Sequence, residues 1–177
     1  MTEETAYVRG ALALGSNLGD REAVLSAAVV DLAEVPGLIL VATSSIYETA
    51  AVGGPAQGAY LNAVLVVDTW LNARALLDAA LEVETAHGRV RGERWGPRTL
   101  DVDVLALGSL VSADPVITLP HPRAHQRGFV LVPWAEVDPG FEIPGRGTVL
   151  ELLDALPADE LVGVRPHPGR LLLPSAG

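Results

Sequence analysis

The chain of 177 residues contains neither cysteine nor lysine. Without cysteine there can be no disulfide, thiolate metal centre or cysteine nucleophile. Without lysine there is no ordinary P-loop, whose lysine reaches the phosphates, and no Schiff-base chemistry. Positive charge is scarce as well: twelve arginines face 22 acidic residues, for a net charge of −10. Long-range repulsion therefore opposes wrapping around DNA or coating an anionic membrane, and any anionic ligand must be held by a local basic cluster. No apolar run approaches the roughly 18 residues needed to span a bilayer. The start, Met1 to Thr5, has neither the basic region nor the apolar run of a signal peptide. A soluble cytoplasmic protein is expected, monomeric and without nucleic-acid or membrane partners.

What is present suffices for a core, with 49% hydrophobic and 19% charged residues in a length typical of one domain. One domain over 1–177 is expected, with its core at about 6–156 and a proline-rich tail at 157–177. Residues 6–15 read as a buried strand, followed by a turn from Gly15 to Gly19. Asp20 caps a helix to about Val35, which Pro36-Gly37 stops. Residues 38–49 read as a strand, 52–58 as a glycine-rich loop, and 60–69 as a strand. Asn72 caps a second helix ending near Gly88, and 98–107 forms the next strand. A short hairpin, a proline-bounded segment at 120–127, an apolar piece at 129–132 and a short helix at 150–156 follow. The strand-helix-strand-strand-helix-strand order predicts a ferredoxin-like α+β fold, with helices on one face of an antiparallel sheet.

Chemistry concentrates between Gly88 and Asp103, where Arg89, Arg91, Arg94 and Arg98 place four of the twelve arginines within ten positions. Asp101 and Asp103 are two apart on a predicted strand and so share one face. Adjacent carboxylates repel unless a cation lies between them, and hard oxygen donors favour Mg²⁺ completed by substrate phosphates. The neighbouring guanidinium groups suit the remaining phosphate oxygens. Tyr60 and Asn62 likewise share a strand face, pairing a ring for stacking with a carboxamide able to match a row of donors and acceptors.

Arg94 to Asp103, together with Gly15 to Gly19 and the run Pro120 to Arg123 with Arg127-Gly128-Phe129, resembles the 6-hydroxymethyl-7,8-dihydropterin pyrophosphokinases of folate biosynthesis from about Tyr7 to Pro144. The resemblance implies transfer of pyrophosphate from ATP to the pterin, with release of AMP. It implies that Asp101 and Asp103 hold two Mg²⁺ ions and act in catalysis with Arg89 and Arg98. Glu84, Arg91, Arg94, Trp95, Arg98, Val104, Thr118, His121 and Arg127 fall at ATP-binding positions. Thr49, Ala50, Val52, Tyr60, Asn62, Trp95 and Phe129 fall at pterin-binding positions, with Tyr60 and Phe129 as the sandwiching rings. A salt bridge to Arg89 or Arg91 is the other reading of Glu84. His87 and His125 read as surface residues. The segment between Gly88 and Trp95 is one residue shorter than the family's usual form, and Gly92 stands where a basic residue is usual. Leu81, Val116 and Ala50-Ala51 also differ from familiar forms. The residues alone leave two rivals open: a non-catalytic ligand-binding module of the same fold, and another Mg²⁺-dependent nucleotidyl or glycosyl transferase.

Overall fold

The computed structural model describes residues 6–51, 57–88 and 99–175. Strand β1 (Val8–Ser16) is apolar on both faces, with Leu12 and Leu14 on one and Ala11 and Ala13 on the other, as a central strand covered on two sides requires. The Asp20 carboxylate accepts from the Ala23 N–H at 3.1 Å and starts α1 (Arg21–Ala33), which buries Leu25, Ala28, Val29 and Leu32. Strands β2 (Leu38–Thr43), β3 (Tyr47–Thr49) and β4 (Tyr60–Thr69) follow. Asn72 caps α2 (Ala73–Ala86) through the Ala75 N–H at 2.9 Å, and β5 (Asp101–Leu107) completes the expected order. Across the sheet, β5 pairs with β1, β1 with β4, and β4 with both β2 and β3 along its far edge. Every pairing is antiparallel. This is the ferredoxin-like arrangement, with α1 and α2 covering one face.

Three features differ from expectation. The predicted strand over 38–49 is interrupted, because the Ser44 hydroxyl accepts the Val64 N–H at 2.9 Å and takes a ladder position. The Ser45 N–H and hydroxyl and the Tyr47 hydroxyl all donate to the Glu136 carboxylate, which fixes the break. Second, the opposite face of the sheet is also helical. Beyond the hairpin of β6 (Ser112–Ala113) and β7 (Thr118–Leu119) and a single 3-10 turn at Ala124–Gln126 lies α3 (Gly128–Val137). It buries Val130, Leu131 and Trp134 in a second core with Ala11, Val64 and Ala106. The pair β8 (Glu142–Ile143) and β9 (Gly147–Thr148) leads into α4 (Val149–Asp154), whose start carries a Thr148/Glu151 capping box. Third, the tail forms α5 (Asp159–Val162) and β10 (Arg165–Pro166), and β10 pairs with β3.

Trp134 is fully buried, its ring 5.3 Å from that of Phe141. Trp134→Ala is expected to lower stability by about 3–5 kcal/mol, measured by urea unfolding.

Candidate active site

On the face of β1 opposite α1 and α2, Ala13 and Gly15 line a cavity of about 800 Å³. The register sets what stands beside them. Gly15 pairs with Asn62 on β4 and with Asp101 on β5, while Ala13 pairs with Val64 and Asp103. Asn62 and Asp101 thus occupy one row two strand spacings apart, about 10 Å, and the β1 residue between them, Gly15, carries no side chain. A Cβ at Gly15 would lie 3.7 Å from Asn62 Oδ1 and from the Tyr60 ring, inside that gap.

On β5 the expected alternation holds: Asp101 and Asp103 line the cavity and Val102 is buried in the opposite core. A bulge follows, at which Leu12 pairs with Val104 and Ala11 with Ala106, leaving Leu105 as the extra residue. The Leu105 carbonyl accepts the His121 N–H at 2.8 Å and so brings the segment after β7 to the cavity rim. Among the described residues no group of three or more His, Cys, Asp or Glu side chains could hold a metal ion. Asp101 and Asp103 present two carboxylates on one strand face, a pair that could hold a hard cation taking its remaining ligands from phosphate and water.

His121, Arg123, Gln126, Arg127 and Phe129 also line the cavity. The Arg127 guanidinium lies over the Phe129 ring, 5.4 Å from its centroid. Burial and Arg123 push the Arg127 pKa down, while Asp103 and Glu160 pull it up. The His121 imidazole is pushed from 6.5 to about 4, chiefly by burial and then by Arg127 and Arg123, so it is neutral at pH 7. Its Nδ1 accepts from the Arg123 N–H at 3.2 Å.

Tyr60, Asn62, Thr49, Ala50 and Phe129 all line the same cavity. Asn62 is only 7% exposed, and its amide donates to Thr49 Oγ1 at 2.8 Å and to the Tyr47 carbonyl at 3.4 Å. These bonds fix the carboxamide plane. The turn after β1 is tied down beside it, with Asn17 donating to Gln57 Oε1 at 2.7 Å.

Three expected residues are not among those that line this cavity. Glu84 is 1% exposed on α2, and its Oε1 accepts the Val102 N–H at 2.8 Å, so it supports the strand that carries the aspartates without lining the cavity. The Val104 side chain belongs to the core beneath α1 and α2, which leaves its main chain for any ligand contact. Thr118 is exposed on β7 and donates to the Asp114 carbonyl at 3.1 Å. Arg89, Arg91, Arg94, Trp95, Arg98 and Val52 lie outside the described residues. His87, read as a surface residue, is bonded to Asp31 of α1 at 2.7 Å with its side chain only 15% exposed. The cavity also holds Gln57, Arg123 and Gln126, and Asp159, Glu160, Gly163 and Val164 from the tail. Arg123 stood within a recognised motif, but nothing in the tail's proline-broken pattern pointed to a ligand.

Residues 11–139 match the family model described as 7,8-dihydro-6-hydroxymethylpterin-pyrophosphokinase (HPPK). The chain belongs to this pyrophosphokinase family. It is 46% identical over 148 residues to the 2-amino-4-hydroxy-6-hydroxymethyldihydropteridine pyrophosphokinase of Methylorubrum extorquens, covering 84% of this chain and 93% of that one. The protein of the same name from Haemophilus influenzae is 36% identical, over 92% and 99%. Among solved structures, a Plasmodium falciparum HPPK-DHPS with pteroate is similar at a TM-score of 0.66 and 14% identity. That likeness covers 86% of this chain but only 44% of the longer one, and it supports the fold. Within the pyrophosphokinase match fall Asp101, Asp103, Asn62 and Phe129; the tail residues that line the cavity fall outside it.

Because His121 stays neutral in the folded protein down to about pH 4 and titrates near 6.5 when unfolded, the unfolded chain binds the extra proton between those values. Stability attributable to His121 is therefore complete above pH 6.5 and lost as pH falls toward 4. Urea midpoints at pH 7.5 and 4.5 are expected to fall less for His121→Asn than for the wild type.

Proposed function

We propose that this chain transfers the β,γ-pyrophosphate of ATP to the hydroxymethyl group of 6-hydroxymethyl-7,8-dihydropterin and releases AMP, the activity for which its family is named. The observation that carries the reading is the row Asn62, Gly15, Asp101, which sets a carboxamide able to read a heterocycle edge about 10 Å from a pair of metal-binding acids across a bare strand. Tyr60 and Phe129, both lining the cavity, are the rings that sandwich the pterin, and Asn62, which lines it too, reads the pterin edge. Thr49, Ala50, Val52 and Trp95 complete the pterin-binding set.

Asp101 and Asp103 would hold Mg²⁺, two ions in this reading, which would neutralise charge on the ATP phosphates and their developing transition state. Arg89 and Arg98 grip the transferred group. His121 and Arg127 hold the nucleotide, together with Arg91, Arg94, Trp95, Thr118 and the Val104 main chain, and Glu84 acts by keeping β5 in place. A neutral His121 can hydrogen-bond the nucleotide without adding charge beside two arginines. The pterin hydroxyl oxygen bonds to the β-phosphorus as the bond from that phosphorus to the α,β-bridging oxygen breaks. AMP departs with that oxygen, and the hydroxyl proton passes to solvent. Alignment and fixed charge supply the acceleration, and no covalent carrier is required. The chain is proposed to act as one domain and as a cytoplasmic monomer on small molecules. Its net charge of −10 supports the absence of nucleic-acid partners. Among the described residues, no helix is long and apolar enough to cross a membrane.

With ATP labelled separately at the β and γ positions, both labels are expected in the pterin product, in equal amount to AMP; ADP with γ-label alone would overturn the mechanism. Asp103→Asn is expected to cut turnover by about 10²–10³-fold, as for loss of one preorganised charge-stabilising group, with the circular dichroism spectrum unchanged.

A further inference from the structure

The family-model match ends at residue 139, and the chain returns to the cavity twenty residues later. It does so through two attachments, one at each end of the pterin-facing half. At the first, α5 packs on the start of α3 so closely that a Cβ on Gly128 would collide with the Glu160 carbonyl. Gly128 lies between Arg127 and Phe129, and Glu160 of α5 lines the cavity together with both. At the second, β10 adds to the edge of β3, with Arg165 opposite Glu48 and Pro166 opposite Tyr47. The His167 N–H extends the ladder to the Ile46 carbonyl at 2.8 Å. Continued by two residues, that register brings Val164 level with Thr49 and Gly163 level with Ala50. Leu171, 5% exposed in the core beneath α1, anchors the segment beyond.

We propose that residues 159–166 form a wall of the pterin subsite, and that Gly163 and Val164 set the size of ring the subsite accepts. Both residues line the cavity, and the segment they belong to is packed on the start of α3 at one end and paired with β3 at the other. This rests on the assignment of that half of the cavity to the pterin. Gly163 has φ −92 and ψ −1, which any residue can adopt, and among the described residues a Cβ there meets no atom within 4 Å. A bulky side chain at 163 is thus compatible with the described fold, at a position that lines the cavity.

The full-length protein is titrated with 6-hydroxymethylpterin, followed by the pterin's fluorescence, and separately with a non-hydrolysable ATP analogue and Mg²⁺. Gly163→Trp is expected to weaken pterin binding by about tenfold or more, as overfilling a packed site does, and to leave nucleotide affinity within about twofold. Val164→Ala, which removes two methyl groups and introduces no bulk, is expected to weaken pterin binding several-fold with the same selectivity. Wild-type pterin affinity in both variants, or equal loss of pterin and nucleotide affinity, overturns the wall. Absence of pterin binding by the wild type overturns the assignment of the cavity, and the wall with it.

Discussion

A strand with almost no side chains on one face keeps two acids and an amide at working distance. Strand β1 pairs with β4 on one side and β5 on the other, and its Ala13 and Gly15 leave the space between Asn62 and the aspartates open. Register is the controlling constraint. A slip of one residue between β1 and β5 would turn Asp101 and Asp103 into the core beneath the helices and send Val102 into the cavity. Two buried carboxylates without partners cost far more than any misregistered ladder could return. The same alternation that buries Leu12, Leu14, Val102 and Val104 therefore also exposes the acids to a ligand.

Charge is arranged on the same principle of locality. The protein is acidic overall, but the cavity lined by Asp101 and Asp103 is also lined by Arg123 and Arg127, and His121 beside these arginines is kept neutral by burial and by their charge. The site can thus receive a polyanion at one end without presenting a general basic surface, and the acidic remainder of the molecule discourages larger polyanions. The other end of the cavity is made of Tyr60, Phe129 and a carboxamide held in plane by Thr49 and Tyr47.

Helix ends and the site motif were legible because each rests on local chemistry. Asp20 and Asn72 carry capping carbonyl oxygens three residues before a free N–H, and the spacing of Asp101 and Asp103 is a strand period. Helix α3 was not legible, since it is apolar except for Glu136 and contains Pro133, so no periodicity separates it from a buried strand. The break between β2 and β3 depends on Ser44 and on Glu136, which is 92 residues away along the chain. Strand β10 was hidden by prolines: Pro166 sits on the sheet's outer edge, where its missing N–H costs nothing. Arg127 and Phe129 could be named from their motif, but their shared wall with the tail is set by a backbone contact at Gly128 that no pattern of side chains announces.

The bond from Glu84 to the Val102 N–H joins the last turn of α2 to the strand that follows it. His87, bonded to Asp31, pins the same end of α2 to α1. The C-terminal end of α2 is therefore fixed both to the strand that carries the aspartates and to the neighbouring helix. A substitution at Glu84 reaches Asp101 and Asp103 through the backbone of β5, from the side of the sheet away from the cavity.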